Sequence, residues 1–395
     1  MSKISDIFNP LLFQWKLFAI WPGKTPSRLY KYYTYLYLFA TLFAYNILLT
    51  VNLIYTPFKI DMLIREVIFN FTEIVVTSKV IMILVKRNNI VEVLDLLDSE
   101  EFQGDTNESS TIVGDSKRTY TTSYLIYAIT SNISYFSQVI APVFVNLIFG
   151  SSLTTELPIC NYYFLSDETR KKYFVFWFVY QALGMYGHMI YNVTGDSFLA
   201  GVLLMTETQM RVINNKLINL NKKTKHGTDD KADEDKEMSK LKKCLRHYDL
   251  VLKYCSAVQN LINVTIFVQF GIGSIIICVA LCALLLPSKT ETMIFMVTYF
   301  MLMTMQIFIP GWLGTKIRYE SQQLVFAAYN TDWLSRYKPF KRNIMIFVER
   351  ANIPIQMTGL KMFPLSLVTF TSIMKTAYSL FTLIRNVQEP DVVKH

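Results

Sequence analysis

Apolar residues along this chain gather in long blocks. Five stretches contain no Asp, Glu, Lys or Arg: residues 32–58, 119–155, 173–195, 254–288 and 292–315. Each exceeds the roughly 20 residues an α-helix needs to cross a hydrocarbon core about 30 Å thick, so each predicts a transmembrane helix. Two further apolar stretches are interrupted by charge. Residues 60–85 carry Asp61, Arg65, Glu66, Glu73 and Lys79, and residues 362–386 carry Lys375 and Arg385. Ionisable side chains at membrane depth face protein or water and not lipid, so these two helices are candidates for lining a cavity or pathway. The alternative for Lys79 and Arg385 is snorkelling from helix ends. The pattern predicts an all-α membrane protein of seven transmembrane helices.

The connections set an orientation. Lys3, Lys16, Lys24, Arg28 and Lys31 precede the first span, and the loop over 214–247 is richer still in Lys and Arg, as is 316–342. The alternate connections are poorer, apart from Arg170, Lys171 and Lys172. The positive-inside rule then predicts a cytosolic N-terminus and an extracellular C-terminus, inverted relative to G-protein-coupled receptors. Asn107-Glu-Ser, the one sequon in a polar loop, falls on the cytosolic side and is expected unmodified. Residues 219–241, with mixed charge blocks, read as a flexible cytosolic connection, and 104–116 as a loop.

Composition agrees with the bilayer as solvent: 52% of the 395 residues are hydrophobic, too many for an ordinary soluble chain of this size. The net charge of +9 sits in the connections, where topology rather than nucleic acid accounts for it. Residues 1–21 lack the apolar core and cleavage site of a signal peptide, so the first span is expected to act as its own insertion signal. The five cysteines and four histidines show no metal spacing, and Cys160 has no identifiable disulfide partner. His188, in an apolar span, reads as a packed, hydrogen-bonded side chain. Glu66 and Glu73 are seven apart and share a helix face, where pairing with Arg65 or Lys79 is the ordinary explanation. No GxSxG, P-loop, GxGxxG or HExxH occurs, so neither enzyme nor cofactor is expected.

The last third of the chain is more specific. It contains Ala327-Ala-Tyr-Asn-Thr-Asp-Trp333, a basic stretch through Arg342, Ile353-Pro-Ile-Gln-Met-Thr-Gly-Leu-Lys-Met-Phe-Pro-Leu-Ser366, and Thr369-Phe-Thr-Ser-Ile-Met-Lys-Thr-Ala-Tyr-Ser379. This ordered set resembles the C-terminal signature of the insect odorant receptors. Leu17-Phe-Ala-Ile-Trp-Pro22, the span order and the length agree. The short second cytosolic loop, and the polar Lys375, Tyr378 and Ser379 in the final span, resemble a tuning subunit and not the co-receptor.

The resemblance implies an odorant-specific subunit of a ligand-gated, non-selective cation channel in the plasma membrane of olfactory sensory neurons. It further implies a heterotetramer with the co-receptor, a small volatile odorant as ligand, and membrane lipids and permeating cations as the other partners. It divides the chain into a cytosolic segment (1–31), four spans forming a ligand-binding bundle (32–205), a cytosolic loop with helix extensions (206–253) and spans five and six (254–316). A cytosolic anchor with a short helix (317–361), a pore-lining seventh helix (362–388) and an extracellular tail (389–395) complete it. By the same resemblance Leu383 and Val387 take gate positions with Asn386 between them, and Glu389 and Asp391 lie at the outer mouth. The odorant pocket is expected in the outer halves of spans two, three, four and six. Helix direction nominates Phe69, Phe71, Phe144, Trp177, Tyr180, Met185, Phe295 and Tyr299 for it. The rival readings are a gustatory-type channel acting as a homotetramer, a metabotropic seven-helix receptor, and a transporter. The gustatory final-span ending Thr-Tyr-x-x-Gln-Phe and the metabotropic Asp-Arg-Tyr motif are absent from the sequence.

Overall fold

The computed structural model describes residues 3–22, 27–141, 143, 157–220, 230–284 and 290–388. A 3-10 turn (Ser5–Phe8) enters α1 (Asn9–Leu17), and α2 (Arg28–Leu38) passes through a π-helical turn (Phe39–Ala44) into α3 (Tyr45–Tyr55). There follow α4 (Ile60–Val85), α5 (Arg87–Leu97), α6 (Asn107–Tyr135) with its own π-helical turn (Phe136–Ile140), and the short α7 (Asp167–Lys172). The remaining helices are α8 (Phe174–Asn219), α9 (Asp230–Ala283), α10 (Thr290–Tyr329), α11 (Lys338–Ala351) and α12 (Leu367–Gln388). Two short strands, β1 (Thr358–Gly359) and β2 (Phe363–Pro364), pair antiparallel just before α12. Taking α2 and α3 as one, the long segments among the described residues correspond to the seven apolar stretches of the sequence.

Four of these segments, Arg28–Tyr55, Met62–Val85, Glu234–Ala283 and Met296–Tyr329, are long and apolar enough to cross a membrane by length and composition. The charge-free run over 119–155 lies partly outside the described residues. The run over 173–195 belongs to α8, whose Gln181, His188 and Asn192 lower its hydropathy. That helix is instead covered by protein, with residues buried on nearly every turn from Gln181 to Leu217. Close approach is part of the cover: a Cβ on Gly201 would sit 2.5 Å from the Phe8 ring and 2.6 Å from that of Tyr120. The N-terminal helix docks on the same core, where the buried Trp15 donates from Nε1 to Thr194 Oγ1 at 2.9 Å.

Two expectations are corrected. The stretch over 104–116 is helical from Asn107, because Thr106 caps α6 by accepting from Ser109 N at 3.2 Å and Glu108 lies in the first turn beside the positive helix end. Residues 230–241 are the start of α9, while 221–229 lie outside the described residues. Glu234, Asp235, Lys236 and Lys240 are exposed there, and Arg336 Nη1 anchors the segment 2.7 Å from Glu237 Oε2. Helices that continue beyond their apolar stretch carry polar sequence without ceasing to be helices.

The segment before α12 folds as an anchor. Phe340, Ile344 and Phe347 form the buried stripe of α11, and Phe347 packs edge-on against Tyr248 of α9 at 5.0 Å. Gln259 of α9 clamps the hairpin in both directions: its Nε2 donates to Thr358 O (2.8 Å) and its Oε1 accepts from Thr358 N (2.9 Å). Between the strands Leu360 and Lys361 take left-handed φ values of 47° and 60°. Non-glycine residues hold that conformation at a cost, which the clamp and the Phe363 ring stacked 5.4 Å from Phe270 offset.

Candidate functional site

α3, α4, α6, α8 and α10 enclose a mostly apolar cavity of about 100 Å³. This is smaller than the roughly 300–1,000 Å³ of drug-sized sites, and so suits a compact molecule. Tyr45 and Leu49 enter from α3, Phe69, Thr72 and Glu73 from α4, and Tyr127, Ser131 and Ser134 from α6. Met185, His188 and Asn192 enter from α8, and Tyr299, Met303 and Gln306 from α10. Of the residues nominated from sequence, Phe69, Met185 and Tyr299 line this cavity. Trp177 and Tyr180 do not: Trp177 packs against Tyr162 at 5.2 Å, and the Tyr180 hydroxyl donates to Ala40 O at 2.9 Å. Phe71 packs at the edge of the core. Phe144, Glu389 and Asp391 lie outside the described residues, as do the side chains of Phe295, Asn386 and Val387.

The sequence reading missed the polar wall. The π-helical turn after α2 widens the backbone and frees carbonyls that a regular helix would use. Ala40 O is taken by Tyr180, and Thr41 O lies 2.5 Å from His188 Nε2. His188 Nδ1 contacts Glu73 Oε2, so Glu73 pairs with a histidine and not with Lys79 as expected. Lys79 does not snorkel; its side chain is fully buried, 2.6 Å from Asp196 Oδ1 and 2.6 Å from Asn192 Oδ1. Gln306 Nε2 donates to Asn192 Oδ1 (2.9 Å) and Asp196 Oδ2 (2.6 Å), and the Tyr127 hydroxyl donates to Asp196 Oδ2 (3.0 Å). This network closes the cavity floor with both charges paired, the arrangement that makes buried ions tolerable. Glu66, the other acid of α4, is buried and accepts from Asn52 Nδ2 at 2.9 Å, with Arg65 3.9 Å away.

α10 joins this floor to α12. Pro310 lacks an N–H, which orphans the carbonyl of Gln306, and Gln269 Nε2 from α9 supplies the missing donor at 2.7 Å. One turn further, Gly311 and Gly314 let the backbone of Leu365 and Ser366 lie directly on α10; any Cβ at Gly314 would collide with the Leu365 carbonyl. Thr315 Oγ1 then accepts from Leu367 N at 2.9 Å, and Ser366 Oγ accepts from Thr369 N at 3.2 Å, so the first turn of α12 is capped jointly by α10 and its own serine. Along α12, Leu380 and Leu383 point away from the rest of the chain, and Leu383 is 60% exposed.

A bundle of long apolar helices around a mostly apolar cavity, with a last helix that leaves Leu380 and Leu383 exposed, has the architecture of a polytopic membrane protein. Residues 59–378 match the family model described as 7tm Odorant receptor. Odorant receptor 59a of Drosophila melanogaster is 25% identical over 276 residues, covering 61% of this chain and 66% of that protein. Odorant receptor 10 of Aedes albopictus is 26% identical over 145 residues, 37% of this chain and 39% of that one. For odorant receptor 2a of Drosophila melanogaster the identity is 25% over 212 residues, 52% and 53% of the two chains. The matched segments therefore span between 39% and 66% of these relatives' lengths. The fold is that of the insect olfactory receptor OR5 from Machilis hrabei in complex with eugenol, with a TM-score of 0.81 over 97% of each chain at 14% identity. The chain belongs to the insect odorant receptor family, whose members are receptors and not enzymes.

Proposed function

We propose that this chain is an odorant-specific subunit of a ligand-gated, non-selective cation channel, acting with the odorant receptor co-receptor in the plasma membrane of olfactory sensory neurons. The observation that carries this reading is the continuous mechanical route from the cavity to the last helix. Tyr299 and Gln306 of α10 line the cavity, and Gly311, Gly314 and Thr315 of the same helix hold the start of α12. A ligand that changes the position of α10 changes the footing of α12. Ligand binding opens the channel only to the extent that it favours the open arrangement. In this reading the outward face of α12 meets its counterparts in other subunits, and Leu383 and Val387, one turn apart, form the apolar constriction with Asn386 beside them. The odorant receptors in the comparison, and the eugenol complex of OR5, support a small organic ligand for this chain also.

The test is whole-cell current under a broad odorant panel in cells expressing this chain alone, the co-receptor alone, and both. Currents to particular odorants only in co-expressing cells are the expected result. Odorant-specific current from this chain alone would replace the reading with a self-sufficient channel of the gustatory type.

A further inference from the structure

We infer that the cavity recognises a compact, neutral molecule bearing a hydroxyl group, with the Glu73 carboxylate accepting a hydrogen bond from it; this rests on the reading of the cavity as the ligand site. Most polar groups in the wall are already engaged. The Thr72 and Tyr299 hydroxyls bond each other, Gln306 and Tyr127 bond Asp196, and the Tyr135 hydroxyl donates to Ala182 O at 3.1 Å. Several groups are left over, the Tyr45 hydroxyl and Asn192 Nδ2 among them, and three of them form a donor-and-acceptor set. Glu73 gives Oε2 to His188, and Oε1 takes no hydrogen bond among the described residues. The hydroxyls of Ser131 and Ser134, spaced to share one face of α6, likewise make none, whereas Ser116 of the same helix donates to Ile112 O at 3.0 Å. All three line the cavity and are buried, with residue exposures of 9%, 6% and 7% for Glu73, Ser131 and Ser134.

A polar group that faces a cavity without a protein partner is left for water or a ligand to satisfy, and its chemistry states which ligand groups can do so. A carboxylate oxygen only accepts, so it requires a donor. A serine hydroxyl both donates and accepts. A ligand hydroxyl meets both requirements, donating a hydrogen bond to Glu73 and accepting one from a serine. An ester, ketone or ether satisfies the serines and leaves Glu73 unpaired, and a hydrocarbon satisfies neither. Charge decides against an ammonium ligand. His188 Nε2 faces the Thr41 carbonyl and must carry a proton, while Nδ1 faces Glu73 Oε2, so one further proton lies between the imidazole and the carboxylate. That pair is neutral as a whole, as is Lys79 with Asp196, and a cation would add an uncompensated charge to a mostly apolar site.

The experiment measures binding to the purified full chain in nanodiscs, using matched alcohol, aldehyde, hydrocarbon and primary amine on butyl, hexyl and benzyl skeletons. On at least one skeleton the alcohol is expected to bind about tenfold tighter than its three analogues, the size of effect for a hydrogen bond to a charged group. Glu73→Gln is expected to weaken alcohol binding about tenfold and leave hydrocarbon binding unchanged. Should Glu73→Gln fail to fold, the Ser131→Ala Ser134→Ala double variant carries the same test, with the preference for alcohol over hydrocarbon reduced. Absence of alcohol binding on all skeletons, an equal or tighter aldehyde or amine, or a preference unaltered in the variants overturns the inference. Recordings from cells co-expressing the co-receptor separate this from the channel reading. Selective alcohol binding without alcohol-evoked current would refute the channel and leave the site assignment standing. Alcohol-evoked currents indifferent to Glu73→Gln would do the reverse.

Discussion

His247 lies on α9 ahead of the charge-free run that opens at Tyr254, with Lys216 Nζ 3.3 Å from its Nδ1 and Gln209 Oε1 2.9 Å from its Nε2. An ammonium can only donate and an amide oxygen can only accept, so the ring is neutral with its proton on Nε2. Burial, reinforced by the Lys216 cation, pushes its pKa down from 6.5 to about 3. The unfolded chain therefore takes up a proton near pH 6.5 that the folded chain refuses, so stability is full above that pH and falls as the pH drops below it. Between pH 7 and pH 5 the loss is about 2 kcal/mol. The apparent melting temperature in detergent is expected to fall over that interval, and His247→Gln, which keeps a donor for Gln209 but does not titrate, is expected to flatten the dependence. A pH response as steep in the variant as in the parent would assign it to other groups. At this scale the sequence was partly legible. Phe69, Met185 and Tyr299, nominated from sequence, line the cavity because large side chains inside a span have few alternatives to a cavity or a neighbour. Glu73, Ser131 and Ser134 were not, because a polar residue in a span signals its need for a partner and not which partner it has.

α10 carries one consequence at the level of the element. Its proline and two glycines sit where it touches the start of α12, and each is compensated from elsewhere, Pro310 by Gln269 and Gly314 by the Leu365 carbonyl lying in the space of its missing side chain. Gly314→Ala is expected to push the two apart at the cost of ordinary overpacking, lowering the odorant-evoked current about fivefold or more while ligand affinity stays within about twofold. Equal loss of affinity and current would show a general packing defect and not a broken link. The Phe-Pro-Leu-Ser segment was legible as a turn before a final span. Its role as a clamp on α10 was not, since Thr315 and Ser366 are brought together only by packing.

For the whole molecule, orientation is the property the sequence states most directly. Asn107 stands exposed at the first turn of α6, and its neighbour Glu108 contacts Asn219 at the end of α8, so the sequon lies at the same end of the bundle as the connection after α8. Access does not prevent glycosylation there, so modification of Asn107 reports its side of the membrane. Glycosidase treatment of the chain expressed in insect cells is expected to cause no mobility shift attributable to Asn107, tested against Asn107→Gln. A glycan at that site would reverse the topology and move the cavity to the other half of the bilayer.

The sequence by itself determined the class: blocks of uncharged residues long enough to span a bilayer leave few folds open, because every backbone polar group within hydrocarbon must be satisfied inside its own helix. It also determined the family, through an ordered set of residues after Lys316. The tertiary structure alone decided which polar groups inside the spans are paired. Lys79 could have snorkelled, and Glu73 could have bonded to Lys79; instead a π-helical turn places the Thr41 carbonyl against His188, and Asp196 and Asn192 of α8 take the lysine. Those partners lie more than a hundred residues apart along the chain, and their pairing is set by how helices pack, for which hydropathy carries no information. Among the groups left unpaired after that packing, the second oxygen of Glu73 and the hydroxyls of Ser131 and Ser134 line the cavity.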